Sequence, residues 1–265
     1  SGQRDAPYEI RRMSRILVDG DNPYPLSTAT MASWRDPKLQ LDFADIGNFR
    51  FTPGQIAASL PQIEEQAGRC NHLVALGGDH SISLPLLRAL RKKHQAPLGL
   101  VHFDAHIDTW PGSFGNEYSH GAVFRHALNE GLIDGSRMIQ IGIRSPMQRE
   151  VYEWTLAQGV EIITADEVHE TNPAAIAARI RQKIGTQPCY LSIDVDCLDP
   201  SAAPGTGTPE IGGLHSWQLM AILRRLNGLG FAGMDVVEVL PSADVGGITA
   251  LAAATVVWQY LTHLC

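Results

Sequence analysis

Short apolar runs that alternate with helix-period segments constrain the fold of this 265-residue chain more than any other feature. Several of the runs are apolar at consecutive positions, which is typical of strands buried on both faces of a parallel sheet. A βαβα alternation of this length predicts one doubly wound α/β domain with right-handed crossovers. The seven predicted strands are residues 41–46, 73–76, 98–103, 138–142, 160–164, 190–193 and 233–239.

Composition and charge exclude several classes of protein. The chain has 21 basic and 28 acidic residues and a formal net charge of −7, which argues against a partner that is nucleic acid or an anionic membrane. No signal-peptide pattern opens the chain, and its longest apolar stretch is too short to span a membrane. The four cysteines form no Cys-x-x-Cys pair, so we expect a reduced, cytoplasmic protein.

Three predicted strands are each followed by side chains that ligate metals. In a parallel sheet the carboxyl ends of the strands meet at one edge, where ligands bind. We therefore expect two imidazoles and four carboxylates to lie close together at that edge. These six side chains belong to His80, Asp104, His106, Asp108, Asp194 and Asp196.

Four neighbouring carboxylates cannot all stay ionised without a compensating positive charge, and a divalent metal supplies it. A mixed His/Asp set suits manganese and other borderline first-row metals. Six ligands exceed what one catalytic zinc takes, whereas two ions about 3.5–4 Å apart can share bridging carboxylates. We predict two divalent metal ions per chain. For Asp79, direct binding, a helix cap and an orienting partner of a ligand all stay open.

The same motifs resemble the metal signatures of the arginase–agmatinase (ureohydrolase) family. They are Gly-Gly-Asp-His at 77–80, Asp-Ala-His-Ile-Asp at 104–108 and Ser-Ile-Asp-Val-Asp-Cys-Leu-Asp-Pro at 192–200. The segments 1–11, 203–210 and 234–239 strengthen the resemblance, which covers essentially the whole chain. The Tyr-Ser-His-Gly segment at 118–121 is more similar to agmatinases and their guanidino-acid relatives than to arginase proper.

The resemblance implies a three-layer αβα sandwich with a mainly parallel sheet, formed by a single ureohydrolase domain over residues 1–265. Such a sheet has about eight strands, so the seven counted here imply that an N-terminal segment is lacking. The resemblance also implies a homotrimer or homohexamer. It further implies a binuclear manganese centre, with two Mn²⁺ per chain, that hydrolyses a guanidino group to urea and an amine. Asp104 and Asp194 would bridge the two ions. His80 and Asp108 would complete one site, and His106 and Asp196 the other.

Two further residues are predicted to act on the substrate. Glu238 lies at the end of the predicted strand 233–239 and would bind the cationic guanidinium, although a buried structural carboxylate is the alternative. His120 matches the family histidine that carries protons to the leaving amine, with a capped surface histidine as the alternative. Asn116, in the neighbouring loop, is a candidate substrate-binding residue.

The loops leave the substrate open between agmatine, which we favour, and 4-guanidinobutyrate or 3-guanidinopropionate. Glu117 would favour the distal amine of agmatine, whereas Arg125 or Arg144 would favour a distal carboxylate. Two rival classes remain: a deacetylase-like metal-dependent amidohydrolase and a catalytically silent homologue. The complete ligand set disfavours the silent homologue.

Overall fold

A computed structural model of the protein describes residues 2–17, 41–112 and 115–264. Its centre is a parallel sheet of six strands in the order β1-β6-β5-β2-β3-β4. The strands are β1 (Leu73–Leu76), β2 (Leu98–Phe103), β3 (Ile133–Ile143), β4 (Glu161–Thr164), β5 (Cys189–Asp194) and β6 (Phe231–Val237). The predicted α/β class with a mainly parallel sheet is confirmed.

Helices cover both faces of the sheet. Alternate residues of β2 point to opposite faces, so Val101 packs with α1, α7, α8 and α9, while Leu100 packs with α3 and α4. These two cores make the three-layer arrangement. The helices are α1 (Ala6–Ser14), α2 (Ile56–Ala67), α3 (Ser83–Arg91), α4 (Val123–Asn129), α5 (Arg149–Ala157), α6 (Ala165–Glu170), α7 (Pro173–Ile184), α8 (Ser216–Leu223) and α9 (Ile248–Leu261).

The predicted strand at residues 41–46 is wrong, so the part of the chain that the structure describes contains six strands rather than the seven predicted. The segment has no regular secondary structure, and Phe43 and Ile46 are 51% and 61% exposed. Asp45 instead accepts two hydrogen bonds from the Arg11 guanidinium of α1, at 2.6 and 2.9 Å. It also accepts the amide of Gly47, whose φ of +79° turns the chain. These local contacts replace strand pairing.

Strand β3 begins five residues earlier than the predicted strand at 138–142. Its first half contains Gly135 and polar residues that weaken the strand pattern. A Cβ on Gly135 would lie 2.2 Å from the carbonyl oxygen of Gln158, so close backbone approach explains the glycine. Between residues 119 and 130 the chain forms a short 3₁₀ turn at His120–Ala122 followed by α4. Within the described ranges, no helix combines the length and apolar character needed to cross a membrane.

The four adjacent strands β1, β6, β5 and β2 bring their carboxyl ends to one edge of the sheet. Leu76 is level with Val236, and Val236 is level with Ile193, which in turn is level with Phe103. Residues that follow these strands therefore meet at the same height. This register positions the candidate site.

Gly77 marks the closest approach between two of these strand ends. Its amide donates to the carbonyl oxygen of Val236 at 2.7 Å, which extends the pairing of β1 with β6. A Cβ at this position would lie 2.6 Å from Val237 Cγ1 and 2.9 Å from Val236 O. At Gly78, by contrast, the nearest atom to a Cβ is Ile82 Cγ2 at 4.0 Å.

We expect Gly77→Ala to lower the free energy of unfolding by roughly 1–3 kcal/mol, because β1 and β6 must separate to admit the methyl group. Gly78→Ala is the matched control and should change it by no more than about 1 kcal/mol. Urea unfolding followed by circular dichroism measures both. Equal losses in the two variants would contradict the close approach.

Candidate metal centre and the adjoining acidic pocket

The first group of predicted ligands surrounds the His80 imidazole, on the turn that follows β1. Its Nδ1 lies 2.9 Å from Asp108 Oδ2, 3.3 Å from Asp104 Oδ2 and 3.4 Å from Asp194 Oδ2. The other oxygen of Asp194 accepts the amide of Asp196 at 2.9 Å. Three different strands thus contribute to one cluster.

The second group surrounds His106. Its Nδ1 lies 3.0 Å from Asp196 Oδ2 and 3.3 Å from Asp104 Oδ1. The two oxygens of Asp104 therefore face different imidazoles, His80 through Oδ2 and His106 through Oδ1. Asp104 stands between the two groups, in the position of a bridging ligand.

Because these groups are buried, the charges that they carry need partners of opposite charge nearby. The four aspartates are at most 5% exposed. Burial, with the charges of Asp196 and Asp104, raises the pKa of Asp194 well above its ordinary value. Burial and Asp104 raise the pKa of Asp196 to about 6. For His106, burial lowers the pKa, but contacts with Asp104 and Asp196 outweigh it and raise the pKa to about 12. The carboxylates therefore favour positive charge between them.

The protonation of His80 tests whether these residues fit a metal. Ser192 Oγ donates to Asp235 Oδ1 at 2.6 Å, so it accepts the proton of His80 Nε2 at 2.8 Å. His80 Nδ1 is then the nitrogen left for a metal, buried without a hydrogen bond and directed at carboxylate oxygens.

Burial lowers the pKa of His80, but contacts with Asp104, Asp108 and Asp194 outweigh it and raise this pKa well above its ordinary value. The carboxylates therefore favour a positive charge at this nitrogen, which a proton or a bound metal ion would supply. Nitrogen and oxygen donors of this kind suit a first-row divalent ion, so the residues fit one.

Asp235, on β6, supports this arrangement and was missed by sequence reasoning. Besides Ser192, it accepts hydrogen bonds from Ser83 Oγ at 2.6 Å and Tyr190 Oη at 2.9 Å. These three hydroxyls hold a fully buried carboxylate behind His80. The available signal was an acidic residue inside an otherwise apolar strand.

His102 and Gln140 are a second pair that sequence reasoning missed. Gln140 Nε2 donates to His102 Nδ1 at 3.0 Å and to the carbonyl oxygen of Ile107 at 2.7 Å. His102 therefore carries its proton on Nε2, which donates to Asp104 Oδ2 at 2.8 Å. Although burial alone would raise the pKa of Asp104, His102 contributes to lowering it well below its ordinary value. The available signal was the two-residue spacing, which places His102 and Asp104 on the same side of an extended chain.

Next to the metal ligands lies an acidic pocket formed by Glu238, His120 and Asp79. Glu238 Oε1 accepts the amide of His80 at 2.7 Å. His120 Nδ1 lies 3.5 Å from Asp79 Oδ2 and 4.0 Å from Glu238 Oε1. Burial and the charge of Asp79 raise the pKa of Glu238 to about 7. The contact with Asp79, aided by the charge of Glu238, raises the pKa of His120 to about 9.

Two of the remaining candidates take supporting positions. Asp79 Oδ1 accepts the amide of Ser81 at 3.0 Å, so this side chain caps the turn after β1 and faces His120 with its other oxygen. Asn116 is exposed, and its Oδ1 accepts the amide of Tyr118 at 3.2 Å. It lines the same groove as Asp79.

Backbone strain also concentrates here. Among the described residues, Asp108 (φ +49°) and Glu238 (φ +65°) are the two non-glycine residues with positive φ. Such conformations cost on the order of 1–3 kcal/mol and persist where surrounding contacts impose them. One of these contacts is the hydrogen bond from the Glu238 amide to the carbonyl oxygen of Gly78 at 2.8 Å. The strain marks both residues as functional candidates.

Comparisons with known proteins agree with this geometry. The sequence model of the Arginase family matches residues 1–262. The chain is 40% identical to a guanidinobutyrase of Pseudomonas aeruginosa, over 100% of this chain and 81% of that protein. It is 41% identical to an agmatinase of Neisseria meningitidis, over 98% of this chain and 81% of that protein. The solved structure of proclavaminate amidino hydrolase from Streptomyces clavuligerus superposes with a TM-score of 0.90 at 36% identity, covering 99% of this chain and 85% of that one. The chain belongs to the arginase family.

Proposed function

We propose that the protein hydrolyses agmatine to putrescine and urea with two manganese ions. Membership of the arginase family makes it a metal-dependent amidinohydrolase, and relatives named agmatinase and guanidinobutyrase support a guanidino compound as its substrate. The observation that carries the proposal is the buried carboxylate of Glu238 beside the two groups of candidate metal ligands. A cation that binds Glu238 has its reacting carbon next to that centre.

The six predicted ligands would hold the metal ions, with Asp104 between them. Divalent ions bound there would supply an acidified water for attack on the guanidino carbon. The remaining chemistry falls to side chains of this chain. Glu238 would bind the planar guanidinium through its carboxylate, a pairing that fixes orientation as well as position. Its burial strengthens the pairing, because little water competes for the charge.

His120 would deliver the proton that the leaving amine requires. Its Nδ1 faces Asp79, so Nε2 is the nitrogen available to the substrate. The raised pKa of about 9 keeps the imidazole protonated at neutral pH. A protonated, partly exposed imidazole beside the guanidinium pocket has the properties of a general acid.

The state of two arginines favours agmatine over the guanidino acids. The Arg144 guanidinium donates to the carbonyl oxygens of Asp196 at 2.8 Å and Glu210 at 2.6 Å. Arg125 lies 4.0 Å above the ring of Trp154 and donates to a backbone carbonyl. Both cations that would bind a distal carboxylate are thus engaged elsewhere. The similarity to a guanidinobutyrase keeps 4-guanidinobutyrate as the second candidate.

The substrate is tested by urea release from the manganese-loaded protein. We expect the highest kcat/KM with agmatine when it is compared with 4-guanidinobutyrate, 3-guanidinopropionate and arginine. A higher kcat/KM with 4-guanidinobutyrate would identify that compound, instead of agmatine, as the preferred substrate. If none of the four released urea, the assignment to guanidino hydrolysis would fail.

The bridging role of Asp104 predicts a specific metal stoichiometry. We expect Asp104→Asn to bind fewer manganese ions than Asp108→Asn, because Asp104 faces both imidazoles whereas Asp108 contacts His80. After equilibration with manganese and gel filtration, mass spectrometry of the metal gives the ions per chain. Asp104→Asn should retain less than one ion, and Asp108→Asn about one of the two expected for a binuclear centre. Two ions retained by Asp104→Asn would refute the bridging role.

The protonated state of His120 predicts an alkaline limb in the pH profile. Because its pKa is raised to about 9, the acid form persists through neutral pH and is lost as pH rises through that value, so kcat should fall there. His120→Asn should lower kcat by roughly 100-fold or more and remove this limb. Asp79→Asn should move the limb to lower pH, since it removes the partner that raises the pKa. An unchanged limb in His120→Asn would contradict the general-acid role. Manganese content serves as the control in both variants.

A further inference from the structure

The amino-terminal turn reaches the acidic pocket through Gln3. This residue belongs to the 3₁₀ turn Gly2–Asp5, which precedes α1. Gln3 Nε2 donates to Glu238 Oε2 at 3.0 Å, across 235 positions of sequence. The mechanism described above gives this contact no role.

The fold holds the turn against the segment that follows Glu238. A Cβ on Gly2 would lie 2.6 Å from Leu240 Cδ1, so the turn packs closely against this side chain. On the other side, a Cβ on Gly207 would lie 3.1 Å from Gln3 Nε2 and 4.0 Å from Glu238 Oε2. Gly207 therefore leaves space beside the Gln3 amide.

The contact gives the Glu238 carboxylate a second donor. Oε1 accepts the backbone amide of His80, and Oε2 accepts Gln3 Nε2. With one donor on each oxygen, rotation of the carboxylate plane is restricted. An ionised carboxylate accepts hydrogen bonds only, so the amide nitrogen of Gln3, rather than its oxygen, must face it.

We propose that Gln3 is a positioning residue for the substrate, which fixes the plane in which Glu238 binds the guanidinium. This inference rests on the proposed function, in which Glu238 binds that group. A planar guanidinium pairs well with a carboxylate only when the two planes are aligned, so a fixed carboxylate binds it with less loss of entropy. Gln3 stabilises the carboxylate without contributing a charge. A lysine or arginine at this position would itself neutralise Glu238 and compete with the cationic substrate.

Gln3→Met tests the role, because it keeps the length of the side chain and removes the donor. We expect KM for agmatine to rise about tenfold, as for the loss of one hydrogen bond to a charged acceptor. We expect kcat to change by no more than about twofold, since bound substrate still meets the same reacting groups. The inhibition constant of guanidinium ion, which lacks a tail, should rise by the same factor as KM. Arg4→Met, an exposed neighbour on the same turn, is the matched control and should leave both constants unchanged.

Gly207→Ala provides a second, independent variant. Its methyl group would displace the Gln3 amide, so KM should rise in the same direction. If both changes act through one contact, the double variant Gln3→Met/Gly207→Ala should be no worse than the poorer single variant. Additive losses would contradict a shared contact. Circular dichroism melting curves identify any variant whose fold is impaired.

The outcomes separate this inference from the proposed function. If agmatine is hydrolysed and Gln3→Met leaves KM and the inhibition constant unchanged, the positioning role is overturned. A fall in kcat with unchanged KM also overturns it. If wild-type protein releases no urea, the proposed function fails, and calorimetric titration with guanidinium ion then tests Gln3. Equal dissociation constants for wild type and Gln3→Met would overturn the role in that case as well.

Discussion

The repulsion among four buried aspartates is the constraint on which the rest of this site depends. Backbone amides relieve part of it, since Asp104 accepts the amide of His106 at 2.6 Å and Asp196 accepts the amide of Ala105 at 3.0 Å. These donors are dipoles and leave the net charge in place. In a low-dielectric interior, uncompensated charge of this size is not tolerated. Protons relieve part of the rest, as the raised pKa of Asp194 indicates, and positive charge between the carboxylates relieves more of it, which is what a dication centre would supply.

The same constraint explains why His80 Nε2, on the side of the ring away from the aspartates, is hydrogen-bonded to Ser192. An imidazole ligates a metal through an unprotonated nitrogen, so its proton must lie on the other one. The chain of hydrogen bonds from His80 through Ser192 to Asp235 fixes that choice. Asp235 can play this part because three neutral hydroxyls satisfy it, which leaves its own negative charge to polarise the chain. The strand interior thus determines the protonation of a residue at the strand end.

The parts of the fold and of the candidate site that could be predicted are those marked by residues close together in sequence. The six candidate ligands follow strand ends in short motifs, and such motifs are visible in a single sequence. Asp235, Gln140 and Gln3 act on residues tens to hundreds of positions away, so only the folded chain shows their partners. The error at residues 41–46 has the same origin. A short apolar run predicted a strand there, but the ion pair of Asp45 with Arg11 is a tertiary contact that no local pattern contains.

His80 also links the candidate metal centre to the acidic pocket. Its Nδ1 faces the aspartates, while its backbone amide donates to Glu238 Oε1. The aspartate cluster and the Glu238 carboxylate therefore lie on either side of His80. Glu238 makes its contact with the His80 amide from a backbone conformation of positive φ, just after β6. Because a neutral amide from Gln3 holds the other oxygen, the pocket keeps an anion available for a cationic substrate. A lysine or arginine in the place of Gln3 would neutralise Glu238 directly, whereas the cationic His120 lies 4.0 Å from its Oε1 and closer to Asp79. Neutral donors on both oxygens of Glu238 therefore leave this carboxylate suited to a cation, beside a cluster of aspartates suited to metal ions.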